Sequence, residues 1–319
     1  MLIAMRVSLA APGRPGAPGR RTIIGVLFAA LALLSGCSAL RLSYGAGPQL
    51  AWWWIDGYFD FTSAQAPPVK AAIAQWFDWH RATQLPAYAS LLVALQAQAT
   101  EPMSAAQACR WNARIRETLD PAIDRALVQA ADLLPLLGEA QLRHLEQRYE
   151  RNIAEMRDEY LQPDPVARRE ASIKRAIERS EQLYGKLGEA QRKVITDGVA
   201  ASPFDPQAWR DERVRRQRDT AATLRRLVSV KADRDTRIAA LRTLAERAER
   251  SPDPAYREYQ RRLVDYNCEF AARIHNATTP GQRLKARENL KGYEDDLRSL
   301  IAPAGNGGVP SGSPPGAPG

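Results

Sequence analysis

Cys37 is the residue whose chemistry is most specific. It closes the box Leu34-Ser35-Gly36-Cys37, directly after a twelve-residue apolar run, Ile23 to Leu34, that follows Arg14, Arg20 and Arg21. A charged leader, a short apolar core and small residues before a cleavage point make a secretory signal. A thiolate can take up diacylglycerol as a thioether, so Cys37 is expected to become the acylated first residue of the mature chain. At about 0.8 kcal/mol per buried methylene, two or three acyl chains hold a soluble domain on a membrane without any spanning helix. Twelve apolar residues fall short of the roughly 20 that a bilayer span requires.

Two further cysteines, Cys109 and Cys268, remain after acylation. Exported compartments oxidise such pairs, so a Cys109–Cys268 disulfide is expected. It would close a loop of about 160 residues, for which loop-entropy estimates approach 5 kcal/mol. It would also tie an early helix to a late one, which favours one compact unit over two independent ones.

The three histidines, His80, His144 and His275, show neither His-x-x-x-His nor His-Glu-x-x-His spacing, so no metal site is expected. There is no Gly-x-Ser-x-Gly elbow and no phosphate-cradling glycine loop. The chain is therefore expected not to be an enzyme, and to carry no cofactor beyond the acyl groups on Cys37. His80, between Trp79 and Arg81 and shortly before an expected helix break at Pro86, reads as a packing residue. The run Trp52-Trp53-Trp54, fifteen residues after Cys37, suits either a membrane interface or a lid on the core.

The formal charge of +9 falls to about +5 once the leader and its four arginines are removed. Between Arg210 and Arg262 there are 16 Lys and Arg against 9 Asp and Glu, a local +7. Arg210, Arg213, Arg215, Arg216, Arg218, Arg225 and Arg226 form a candidate patch for an anionic partner. The alternative is a set of solvated Arg/Glu helix faces. Outside the cytoplasm nucleic acid is not an expected partner; anionic lipid, lipopolysaccharide, cell-wall polymer or acidic protein segments are.

The elements that position these residues read as helices. Leu142, Leu145, Tyr149, Ile153, Met156 and Tyr160 recur at helical spacing, one stripe along an expected helix of more than twenty residues. After Gln162-Pro163-Asp164-Pro165, a second stripe follows with Val166, Ile173, Ile177 and Tyr184, making an antiparallel pair. Further inner faces are predicted at Ile115, Leu119, Ile123 and Leu127; at Val214, Ala221, Leu224 and Val228; at Ile238, Leu241, Ala245 and Ala248; at Tyr259, Leu263, Tyr266 and Phe270; and at Leu290, Tyr293, Leu297 and Leu300. The fold class is all-α, a multi-helix bundle of long amphipathic antiparallel helices.

A short motif recurs at helix starts: Thr62-Ser63-Ala64-Gln65, Ser104-Ala105-Ala106-Gln107, Gly138-Glu139-Ala140-Gln141, Gly188-Glu189-Ala190-Gln191 and Thr279-Pro280-Gly281-Gln282. Its physics is the capping box, in which the N-cap hydroxyl accepts from the N3 amide and the N3 Gln reaches back to the N-cap amide. Gly138 and Gly188 lack the hydroxyl, and Pro67-Pro68 should delay the first of these helices.

The motif resembles the Leu-Thr-x-x-Gln motif of Spy/CpxP-type periplasmic proteins, which are small all-helical chaperones and stress-sensor modulators. The box at Cys37, Trp53-Trp54-Ile55-Asp56-Gly57-Tyr58-Phe59-Asp60, Trp79-His80-Arg81 with Leu85-Pro86-Ala87-Tyr88, and Thr278 to Arg283 resemble a family of uncharacterised proteobacterial lipoproteins. That resemblance implies fold and location and no activity. In Gram-negative lipoproteins an Asp after the acylated Cys commonly signals retention in the inner membrane, so Ser38 implies the outer membrane.

The expected organisation is a signal peptide at 1–36, with Met5 a possible alternative start. A lipidated, Trp-rich lead-in at 37–60, a helical domain at 61–302 and a disordered Gly/Pro/Ser tail at 303–319 follow. The expected function is a membrane-anchored, periplasm-facing, non-catalytic binding or chaperone-like module for an envelope protein, unfolded polypeptide or anionic polymer. The alternative is a structural or assembly subunit of an envelope complex.

Overall fold

The computed structural model describes residues 37–301, with side chains from Leu40 onward. The signal segment, the Cys37 side chain and the C-terminal tail lie outside the described residues. These comprise eleven α-helices and one 3-10 turn, with no strand among them: α1 (Cys37–Gly45), α2 (Gly47–Phe59), α3 (Ala66–Gln98), α4 (Ala105–Leu133), the turn Leu134–Leu136, α5 (Glu139–Tyr160), α6 (Pro165–Tyr184), α7 (Glu189–Ala200), α8 (Pro206–Ser229), α9 (Arg234–Glu249), α10 (Pro254–Asn276) and α11 (Pro280–Ile301). The all-α bundle is as expected, and no described helix is long and apolar enough to cross a membrane.

The helix starts follow their local chemistry. Asp164, Asp205 and Asp253 each accept the backbone amide two residues on, with Pro beside them at the first helical positions, where the missing N–H costs nothing. Packing then sets the layers. Helix α3 lies along α11 and also carries α4; α4 carries α9 and α10; α5 packs on α8 and α2. One core cluster joins Leu134, Leu137, Leu142, Leu145, Leu224 and Leu227 where α4, α5 and α8 meet. A second joins Trp52 to Val69 and Ile73 between α2 and α3. Leu85, Leu145 and Leu227 are at most 2% exposed, and burial of each contributes roughly 1.5–3 kcal/mol.

Two readings need correction, at Pro86 and at three inner-face residues. Pro86 does not end a helix: α3 runs through it, because Leu85 and Ala89 on either side are almost wholly buried and that packing outweighs one lost amide bond. Residues 37–60, read as a lead-in, form the helices α1 and α2. Ile123, Val166 and Tyr293, assigned to inner faces, are 52%, 60% and 45% exposed; beside Ile123, the smaller Ala122 takes the buried position. At the Thr62 box the helix is delayed as expected ahead of Pro67-Pro68, with α3 beginning at Ala66.

The glutamine boxes do more than cap. In each of four, the Gln amide oxygen accepts the N–H of its own cap residue: Thr62, Gly138, Gly188 and Thr279. The amide nitrogen then reaches a second loop. Gln65 donates to the Leu136 carbonyl and Gln141 to that of Asp60; Gln191 donates to Ala277 and Gln282 to Lys186. In all four, the accepting carbonyl lies two residues before the partner's cap. The boxes thus form two reciprocal clasps. The fifth, Ser104 with Gln107, is a complete local capping box.

Candidate binding site

The site is built where the end of α3 meets the start of α4. The Ser104–Gln107 box fixes where α4 begins. Reciprocal bonds between the Met103 backbone and the Asn276 side chain, at 2.9 and 2.8 Å, join that start to the end of α10. The Cys109–Cys268 disulfide is present, with the two Cα atoms 5.2 Å apart, and fastens α4 to α10 one turn further along. Immediately beyond lies a recess of about 230 Å³ lined by Gln98, Gln107, Arg110, Trp111 and Arg114.

Trp111 forms its wall. The indole Nε1 donates to Gln98 Oε1 at 2.9 Å, which holds the ring across the helix junction. The Arg114 guanidinium stands 5.2 Å from the ring centroid. Arg110 is exposed and makes no ion pair among the described residues. Two guanidinium groups on one face, one helical turn apart, and an aromatic wall suit an anionic group attached to a flat or apolar stem.

The arginines singled out in the sequence are mostly occupied. Arg215 and Arg216 both bind the Glu212 carboxylate at 2.8 Å. Arg225 bridges Glu139 and Glu146, each at 2.9 Å, and Arg210 pairs with Asp211 at 2.6 Å. Arg213 is partly buried, with Nε unpartnered. Of these seven, only Arg218 and Arg226 are exposed without a side-chain partner among the described residues. The local +7 is therefore not an open cationic field. Charge reversal at Arg215 or Arg216 would disturb the fold before it reported on binding.

The histidines are dispersed, and no group of three or more His, Cys, Asp or Glu that could hold a metal occurs among the described residues. His80 is 8% exposed, stacked on Trp76 at 4.5 Å, with Nδ1 2.9 Å from the Tyr44 hydroxyl. Burial pushes its pKa down to about 4. His275 is 3% exposed, 2.9 Å from the Tyr184 hydroxyl and 2.7 Å from the Glu101 carbonyl. Burial lowers it too, with Arg283 adding to the shift and the Glu101 carbonyl opposing it. His144 bonds the Gly57 carbonyl. The tryptophan run divides: Trp52 is buried as a lid, whereas Trp53 and Trp54 are 58% and 48% exposed.

Sequence reasoning missed Arg110, Trp111 and Arg114. Their signal was present: Arg110 has no acidic residue three or four positions away, and an indole sits between the two guanidinium groups. No curated protein and no solved structure matches the chain. Residues 57–257 match the family of unknown function DUF6279, and the chain belongs to that family.

Proposed function

We propose that this chain is an envelope lipoprotein, anchored through acylated Cys37 in the outer membrane, whose helical body is a non-catalytic module that binds an acidic polypeptide segment. The anchor reading is supported by the Leu34–Cys37 box after its apolar run. The Spy/CpxP-like motif fits a chaperone-type role, although its glutamines here also clasp loops together. One observation carries the binding role: the recess where Arg110 and Arg114 flank Trp111, with no carboxylate among the described residues bound to either.

The test is binding of poly-L-glutamate to the full-length protein in detergent. Wild-type binding should weaken as ionic strength rises and the Debye length falls from about 10 Å toward 3 Å. Arg110→Glu with Arg114→Glu should weaken it at least tenfold, and Trp111→Ala should do so to a lesser degree. Binding that tolerates all three changes and is indifferent to salt overturns the reading. For the anchor, Cys37→Ala should leave an uncleaved or soluble species; a mature, membrane-bound Cys37→Ala protein would defeat it.

A further inference from the structure

We propose that the outer face of α2, with Leu42 of α1, lies in the headgroup region of a phospholipid bilayer and holds the helical body against the membrane. This deepens the anchor reading, and rests on it for which membrane is met.

Helix α2, Gly47–Phe59, contains a single charged residue, Asp56, whose carboxylate accepts the Phe61 amide at 3.0 Å. One face is spent on the core: Trp52 packs on Val69 and Ile73, with Ile55 and Phe61 beside it. The other face carries Leu50, Trp53, Trp54 and Gly57, at the i, i+3, i+4, i+7 spacing of one stripe. Leu50, Trp53 and Trp54 are 37%, 58% and 48% exposed. Gly57 is exposed too, and a Cβ there would meet nothing within 4 Å. A surface helix normally turns charges outward; one that is apolar on both faces needs cover on its second face.

The chemistry of that face fits lipid headgroups. Two indole rings give an apolar body and an N–H donor each, the combination that settles at a membrane–water boundary. Neither indole N–H has a partner among the described residues. Lys70, exposed and without an ion pair among the described residues, stands 4.6 Å from the Trp52 ring of α2. The other strongly exposed apolar residues, such as Ile123, Val166 and Val230, are widely separated in the chain and make no such stripe.

The position of the chain start selects the occupant. Leu42, 68% exposed, is five residues from Cys37, about 8 Å of helix. Helix α1 runs almost directly into α2, with Ala46 N–H bonded to the Leu42 carbonyl at 3.1 Å and Leu50 N–H to that of Ala46 at 3.0 Å. The join has no slack. Arg41 pairs with Asp296 at 3.3 Å, Tyr44 meets His80, and Gly47 lies so close to Phe77 that a Cβ would sit 2.5 Å from the ring. A bilayer holding Cys37 is therefore within about 25 Å of helix from Trp53 and Trp54.

The experiment reconstitutes the full-length protein into phosphatidylethanolamine–phosphatidylglycerol vesicles whose acyl chains carry bromine, with the N-terminal modification read by mass spectrometry. Bromine should quench part of the tryptophan emission, and aqueous iodide should lose access to the same part. Both effects should vanish in Trp53→Phe/Trp54→Phe, whose helix content is checked by circular dichroism. Acylated protein with no quenching, or with quenching unchanged in the double variant, overturns the proposal and leaves the anchor standing. Absent quenching with a concentration-dependent dimer would assign the face to a second copy and overturn it equally. Unacylated protein that is still quenched supports the face and defeats the anchor; unacylated and unquenched protein defeats both.

Discussion

Gln191 and Gln282, which open α7 and α11, are bonded to each other through their side-chain amides, with Gln282 Nε2 3.0 Å from Gln191 Oε1 and the reverse bond also made. Each oxygen already accepts its own cap amide, and each nitrogen also reaches the other loop. Either truncation to Ala should cost about 1–3 kcal/mol in urea unfolding. The double variant should cost less than the sum, with a coupling of about 0.5–3 kcal/mol. Simple additivity would mean that the two amides act as independent caps.

Glu212 is a second point of concentration. At 5% exposure it receives Arg215, Arg216 and the fully buried Ser251 hydroxyl, the last at 3.0 Å. Burial pushes its pKa up, and these three donors more than offset that, leaving it below the ordinary Glu value. Its contribution to stability should thus be present above about pH 4.5 and fall away as pH drops through the folded-state value. Glu212→Gln should destabilise by about 2–3 kcal/mol at neutral pH, less than a fully buried pair because both arginines keep some solvent. An unchanged urea midpoint would contradict this.

His80 predicts a different window. Its folded pKa, about 4, lies below the ordinary 6.5, so the unfolded chain binds the extra proton and stability declines as pH falls from 6.5 toward 4. His80→Phe should flatten that part of the pH–stability curve. Identical slopes for wild type and variant would show that the Tyr44–Trp76 setting does not hold the ring neutral.

The Cys109–Cys268 bridge spans 159 residues. Breaking it in a Cys109→Ser/Cys268→Ser variant should cost up to about 5 kcal/mol in the loop-entropy view, seen as a lower thermal midpoint. Because α4 and α10 also pack together, the helix content before melting should persist.

Local signals carried much of this fold. Helical spacing located α5 to within a few residues, and the cap-to-Gln spacing located the starts of α4, α5, α7 and α11, because those interactions close within one turn. Partners far along the chain were invisible. Nothing near Arg225 pointed to Glu139 and Glu146, which lie 86 and 79 residues away; with Asp132 and Asp124 on Arg234 and Arg242, these distant carboxylates offset part of the segment's +7. Tyr293 had the right period and the wrong side, since period gives a face without naming its neighbour. The recess needed Gln98 and Trp111, thirteen residues apart across a loop.

The two-residue offset shared by the four clasp glutamines has a bearing on how this chain can change over time. An insertion between Asp60 and Thr62, Leu136 and Gly138, Lys186 and Gly188, or Ala277 and Thr279 would displace a carbonyl from the amide that reads it, leaving two loops uncapped at once. Those four spans act as fixed rulers within the chain. Length variation among its relatives should collect instead in turns that no distant amide reads, such as 161–164 between α5 and α6.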